Sequence, residues 1–573
     1  MTKLLRVISN FSGGLSEVGN DNMKDNELVE AQNAVPGETY GIARAEGCSI
    51  FDRIAVSGTP IKETVLRLIE LRSYKSHEDG TTLTEPEDQI LAFTDILSGV
   101  GPDDPPPSEG QDESLYCGTG YLGAVTWKKM ATNFRHFSSW FIRANCLYWV
   151  CENGINKYNG YQTSGIIQSD LTFGGTPDAD TKTAFFNKLS HAISVAERNG
   201  RWFYATGDSE VIYSEAGDPL SFYVTNIVNV NTPDNDKLTA LHTFNDALLI
   251  FKERSVFALT GVDLLNGTDI KLTRLNVESG TRYPSTIQTV ENAVMYLGRS
   301  GVYRLYTPYY SSVTASTNVA EKKITGRLND LIGAVAAVWN GVYHLSLVKR
   351  TVDEGGRETR WAEEYRYYLT DKAFWGAYDL DIYGYAPGMT GDGNLYFGTK
   401  NGYILYIDKN SHNYIDTTTG LPRNIAMVVK TKAYDVVGAV FANSKVKRAL
   451  IAARQYESES SDLYIQIKAD YADEANNVEI DGIEEMIGDA LGTHDISFDE
   501  SLIWQEGSWA EERWGWTDTV FKQIPIGRKT KHFQFILKAS AQQPLTVYAL
   551  GILYKRKKVK GNSDGVTSVE VID

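Results

Sequence analysis

The sequence predicts an all-β protein: a β-propeller of six or seven blades followed by a C-terminal β-sandwich. Three observations predict it. The chain holds 33 Tyr, 21 Phe, 11 Trp and 50 Gly among 573 residues; aromatic side chains fit pleated surfaces and glycine supplies tight turns. A two-strand pattern recurs between about residues 140 and 410. Near residue 420 that pattern gives way to longer strands with period-two alternation, the signature of sheets buried on one side.

The recurring unit is a short aromatic or apolar run, a turn and a second run. It appears at 146–150 with 154–158, 202–204 with 211–213, 247–251 with 255–259, 294–297 with 301–306, and 394–398 with 402–406. Successive hairpins are spaced by roughly 45–55 residues, the length of a four-stranded propeller blade. A ring of blades removes the edge problem of short antiparallel strands by packing each sheet between neighbours.

Around this core, residues 1–45 read as an irregular N-terminal extension with one helical turn near Asp25–Ala31. Residues 46–421 read as the propeller. An insertion near 74–115 contains Asp103, Asp104, Pro105, Pro106 and Pro107. That stretch fits neither helix nor interior strand and is expected to be an exposed loop that meets a partner or gates a channel. Residues 422–560 read as the sandwich, with alternating runs at 426–434, 463–469, 533–539 and 545–554, and 561–573 as a flexible tail.

Charge narrows the function classes. The net charge is −17, which argues against a general nucleic-acid-binding surface. The C-terminal region is strongly segregated. Residues 457–518 carry 18 Asp or Glu against Lys468 and Arg513. Residues 422–456 carry seven Lys or Arg and one Asp; residues 519–560 carry ten and no acid. Opposed blocks suit a head-to-tail ring in which unlike faces meet. The expected contact residues are Lys445, Lys447, Arg448, Arg528, Lys529 and Lys531 on the basic side, and Glu484, Glu485 and Asp489 on the acidic side.

Chemistry is sparse. The chain has no G-x-S-x-G, no H-E-x-x-H and no phosphate-binding glycine loop, so no catalytic residue, metal ligand or cofactor is expected. The four cysteines form no C-x-x-C pair and read as buried or partly buried free thiols. Trp504, Trp509, Trp514 and Trp516 read as sandwich core and interface, with a sugar platform as the alternative. Residues 1–20 lack the apolar core of a signal peptide, and no apolar run is long enough for a transmembrane helix.

Two terminal segments carry a resemblance. Residues 5–15 (Leu5-Arg6-Val7-Ile8-Ser9-Asn10-Phe11-Ser12-Gly13-Gly14-Leu15) with 25–33, and residues 526–535 with 550–555, resemble the propeller-bearing tail hub or nozzle proteins of bacteriophages. They also resemble the related packaged-DNA stabilisation proteins of short-tailed phages. The resemblance implies a structural virion protein, made in the bacterial cytoplasm and built into the tail, not an enzyme and without cofactor. It implies a homo-oligomer, usually a hexameric ring, between portal or adaptor proteins above and fibre or tip proteins below. Genome DNA would pass through its lumen without sequence-specific binding. A head–tail adaptor or stopper, a receptor- or glycan-binding tail protein, and a polysaccharide depolymerase are the alternatives. The loop at 101–107 and the acidic block at 457–518 lie outside the family pattern.

Overall fold

The computed structural model describes residues 4–19, 22–95, 113–120, 125–134, 138–151, 154–207, 209–230, 236–261, 270–306, 316–352, 358–436, 444–454, 462–469, 477–480, 483–486, 493–497, 519–526, 529–539 and 544–556. The chain divides into two compact units. One comprises residues 46–374 and 378–423; the other comprises 1–45, 375–377 and 424–573.

The larger unit is a β-propeller, as the hairpin spacing predicts. Six blades are each built from consecutive chain. Their innermost strands are Thr64–Lys75, Ser139–Arg143, Ala192–Arg198, Leu238–Phe244, Gln288–Val290 and Leu331–Trp339, and each sheet runs outward by antiparallel neighbours, the first adding Ala55–Val56 in parallel beyond Thr126–Phe134. A seventh, composite sheet closes the ring. It takes Gly384–Pro387, Leu395–Gly398 and Tyr403–Asp408 from the end of the unit, and its outer strand, Gly47–Arg53, from the beginning. Hydrogen bonding between the first and last segments of the ring thus replaces a covalent closure.

Apolar faces seal most blades to their neighbours. Leu91 and Phe93 of blade 1 pack with Trp149 and Tyr158 of blade 2. Tyr148 and Val150 meet Trp202 and Tyr204 of blade 3, Phe203 meets Leu248 and Ile250 of blade 4, and Phe251 meets Tyr296 of blade 5. Ile404 and Tyr396 of blade 7 close onto Leu68 and Ile90 of blade 1. Blade 6 is joined more by polar contacts. Tyr343 donates to the Thr286 carbonyl (2.8 Å) toward blade 5, and Trp339 to the Gly393 carbonyl (2.8 Å) toward blade 7. Between blades 7 and 1 the strands approach so closely that a Cβ on Gly384 would sit 1.9 Å from the Leu66 carbonyl oxygen, so only glycine fits there.

The helix Ala179–Leu189, which the strand pattern does not announce, links blades 2 and 3. Asp178 caps it by accepting from the Thr181 amide (2.7 Å), and it buries Phe185 and Leu189 in the core between those blades.

The smaller unit holds two largely antiparallel sheets. One runs Ala34–Pro36, Ile42–Arg44, Thr546–Arg556, Ser444–Arg454, Thr519–Pro525; Leu4–Ile8 also pairs with Thr546–Arg556, and Lys529–Thr530 with Ser444–Arg454. The other includes Glu27–Gln32, Met427–Thr431, His532–Ala539, Asp462–Ala469 and Thr493–Ser497. Alternation decides which side is inward: Phe533, Phe535 and Leu537 are buried, as are Leu463, Ile465 and Ile467.

Three expectations are corrected. Residues 1–45 are not an extension: Leu4–Ile8 pairs residue by residue with 550–554, and Glu27–Gln32 with Met427–Thr431, so both chain ends build one unit. The expected helical turn near 25–31 is the strand Glu27–Gln32, whose Leu28 and Ala31 are buried on either side of a register shift in its pairing with Met427–Thr431. The insertion near 74–115 is mostly blade 1 itself: Thr82–Asp95 and Glu113–Thr119 are its second and third strands. Asp103, Asp104, Pro105, Pro106 and Pro107 lie outside the described residues, as do the tail at 561–573 and the four tryptophans between 504 and 516.

Candidate functional site

The expected basic contact residues fall on the first sheet of the smaller unit. Lys445, Lys447 and Arg448 lie on the strand Ser444–Arg454, Lys529 lies on its short neighbour, and Lys531 follows directly. The register brings two of them side by side, Lys445 opposite Lys529. It adds a third that the sequence reading missed: Lys555 is the partner of Lys445 on the other flank. Arg448 donates to the Gln523 side chain (2.6 Å). Glu484 and Glu485 lie on the strand Ile483–Met486, which pairs with Asn477–Ile480 and with no other described strand. Asp489 and Arg528 lie outside the described residues.

A second polar cluster ties the N-terminal strands down. Arg6 reaches the Asp25 carboxylate (3.3 Å), Lys432 reaches its other oxygen (2.9 Å), and Tyr434 donates to the Asp25 carbonyl (3.0 Å). The Lys432 hydrogen bond outweighs partial burial and holds the Asp25 carboxyl below its usual range.

The propeller carries one concave site worth building from its residues. Strands alternate in direction, so the segments entering the innermost strands lie at the same end as the turns between second and third strands. At that end blades 5, 6, 7 and 1 enclose a cavity of about 370 Å³ lined by Thr64, Leu66, Arg67, Asp95, Glu113, Arg282, Ser285, Ile332, Arg360 and Tyr383, among others. Asp95 and Glu113 are the two flanks of the segment that contains Asp103–Pro107. At this mouth the Arg67 guanidinium donates to the Ser285 hydroxyl, and Arg282 meets Glu253 at 3.0 Å. Nearby, Lys400 meets Asp381 at 3.0 Å. Tyr383 is buried, and burial together with Asp381 raises its hydroxyl far above the ordinary range. The mouth combines polar groups with apolar walls, the lining of a binding cavity.

Deeper in blade 6 lies a buried charged network. His344 donates through Nδ1 to Glu364 (2.7 Å), Tyr385 donates to the same oxygen (3.1 Å), and Arg366 meets the other oxygen at 3.2 Å. Arg366 also reaches Glu46 (3.0 Å) and stacks over Tyr378 at 4.0 Å. Burial alone would raise the Glu364 pKa; the Arg366 charge and the His344 hydrogen bond outweigh it and hold the group at about 2. Burial keeps His344 neutral, below its usual range. Both acid and base are engaged and enclosed, so the network fastens blade 6 to the start of the unit at Glu46 instead of presenting groups to a substrate.

Among the described residues no group of three or more His, Cys, Asp or Glu is placed to hold a metal ion. The four cysteines are free thiols, with Cys48, Cys117 and Cys151 buried; burial pushes the Cys48 and Cys117 thiols up to about 12. No helix among the described residues is long and apolar enough to cross a membrane.

No family model matches the sequence, and no curated protein does. Solved structures align with the chain at low similarity. The computationally designed Ika8 protein aligns with a TM-score of 0.29 and 8% identity over 62% of this chain and all of its own. An extracellular domain from B. thetaiotaomicron, described as part of a one-component system, aligns at 0.38 and 9% over 76% of this chain. A second, described as part of a hybrid two-component system, aligns at 0.38 and 8% over 75%. The chain spans 57% and 56% of the length of those two bacterial domains.

Proposed function

We propose that this chain is a structural subunit of a bacteriophage tail, a hub or nozzle protein that forms a ring and conducts the packaged genome during ejection. One observation carries the reading. Two of the segments that bear the resemblance lie at opposite ends of the sequence, yet they are strand partners: Leu5 pairs with Leu553 and Ile8 with Leu550. The resemblance therefore falls on one interlocked unit and not on scattered similarities. The propeller is an insert in that unit, as a scaffold with a presented domain would be built.

In this reading the subunit is homo-oligomeric, sits between portal or adaptor proteins and fibre or tip proteins, and resides in the virion. Its acidic surplus keeps DNA from adhering to the wall it passes. The test is direct. The purified protein and phage particles are imaged by electron microscopy with the chain labelled. Six-fold rings and a label on the tail are expected. A chain that remains monomeric, even on assembled particles, overturns the proposal.

The cavity at the propeller mouth favours one second reading, a tail protein that binds a cell-surface glycan. Retention on a glycan array, lost on Tyr383→Ala with the thermal melt preserved, is the result that would favour it over the conduit.

A further inference from the structure

Lys529, Lys445 and Lys555 form a row across three adjacent strands, each directly opposite the next. Directly opposed residues share a face and stand about 5 Å apart, and like charges so placed repel. None of the three makes an ion pair or side-chain hydrogen bond among the described residues. One step along the same face Arg448 stands opposite Leu553, which in turn stands opposite Leu5. Leu5 and Val7 are 56% and 53% exposed. A row of lysines with no acidic partner among the described residues, beside exposed leucine and valine, suits something acidic and partly apolar.

The chain contains the complementary piece. The hairpin Asn477–Ile480 with Ile483–Met486 pairs with no other described strand. In its sequence Val478, Ile480, Ile483 and Met486 are interspersed with Glu479, Glu484 and Glu485, and Glu479 is the direct partner of Glu484. A free two-stranded hairpin is marginal in water, and opposed glutamates weaken it further.

We infer that the lysine row seats the acidic hairpin of a second copy of this chain. The row spans three strands, roughly 10 Å, enough to seat a two-stranded hairpin, whose strands stand about 5 Å apart. Each of the two surfaces is self-repelling alone and neutralised by the other. Duplex DNA is the weaker occupant, because a chain of net charge −17 repels it at range. Contact between unlike surfaces is heterologous and propagates from copy to copy, closing into a ring where the rotation allows. The inference rests on the ring reading above and specifies its joint.

Three full-length variants test it: K445E/K529E/K555E, E479K/E484K/E485K, and the chain carrying both sets. Each keeps a like-charged row, so the thermal melts should match the wild type and serve as the folding control. Association is read by sedimentation velocity at low salt. Each single-set variant should associate at least about tenfold more weakly than the wild type. An equimolar mixture of the two should recover most of that loss, because both of its contacts are again complementary. About 0.5 M salt should weaken all assemblies.

Single-set variants that associate like the wild type overturn the inference and leave the ring reading standing. A wild type that is monomeric at every concentration and on particles overturns both. A melt restored only in the chain carrying both sets, with no gain on mixing, makes the contact internal to one copy and overturns it. So does tight binding of a DNA duplex that the lysine variant loses while its association is unchanged.

Discussion

Single residues decide where this fold tolerates charge. Arg366 is buried and is held by Glu364 and Glu46. Breaking such a pair by removing one partner leaves a buried charge with half its compensation. Glu364→Gln should therefore lower unfolding free energy by about 3 kcal/mol, measured by chemical denaturation at neutral pH; a loss below ~1 kcal/mol would show that Glu46 alone suffices. His242 gives a pH prediction. It is hydrogen-bonded to Thr289 (2.8 Å), and burial lowers its pKa from 6.5 to about 4. The folded state therefore binds fewer protons than the unfolded state between those values, so its contribution to stability is lost as pH falls from about 6.5 toward 4. Thermal melts of His242→Gln should show a shallower decline than wild type across that window. Parallel declines would mean the imidazole protonates in place.

At the scale of elements, legibility followed burial. The hairpins read from sequence are second and third strands of blades: 146–150 with 154–158 became Cys146–Cys151 with Gly154–Tyr158, and 247–251 with 255–259 became Ala247–Lys252 with Val256–Thr260. These strands are covered on both faces by neighbouring blades, so nearly every residue is apolar and the run stands out. Blade 6 was missed because Glu358–Tyr368 mixes Arg360, Glu363, Glu364 and Arg366 with its aromatics, and its charges are satisfied only by tertiary partners. The strand Gly47–Arg53 was illegible for another reason: its partner, Tyr403–Asp408, lies some 350 residues away. The lysine row had the same difficulty. Lys445 and Lys529 were read as basic residues, but only register makes them neighbours and adds Lys555. The closing strand yields a prediction. If it fastens the ring, its amides should exchange with solvent at the rate of global unfolding of the propeller, matching those of Leu395–Gly398. Hydrogen exchange read by mass spectrometry checks this. Protection of Gly47–Arg53 more than about a hundredfold weaker would mean the ring opens there under native conditions.

At the scale of the whole molecule, connectivity makes the two units unequal. The smaller unit needs both chain ends, so no continuous fragment contains it. The propeller is different, since its six single-segment blades, its composite blade and the Glu46 anchor all lie within residues 46–423. That fragment should fold alone. It would lose the strand pairing of Ala31 with Gly376. One bridging pair is a small loss for a ring sealed by a core between most neighbouring blades. The fragment should therefore melt in a single cooperative transition a few degrees below that of the propeller in the full chain, with strand-rich circular dichroism. It should also lack the self-association assigned to the lysine row, because Lys445, Lys529 and Lys555 all lie outside it. A fragment that melts without cooperativity would show that the chain ends brace the ring as well as frame it. A fragment that still assembles would move the subunit contact onto the propeller.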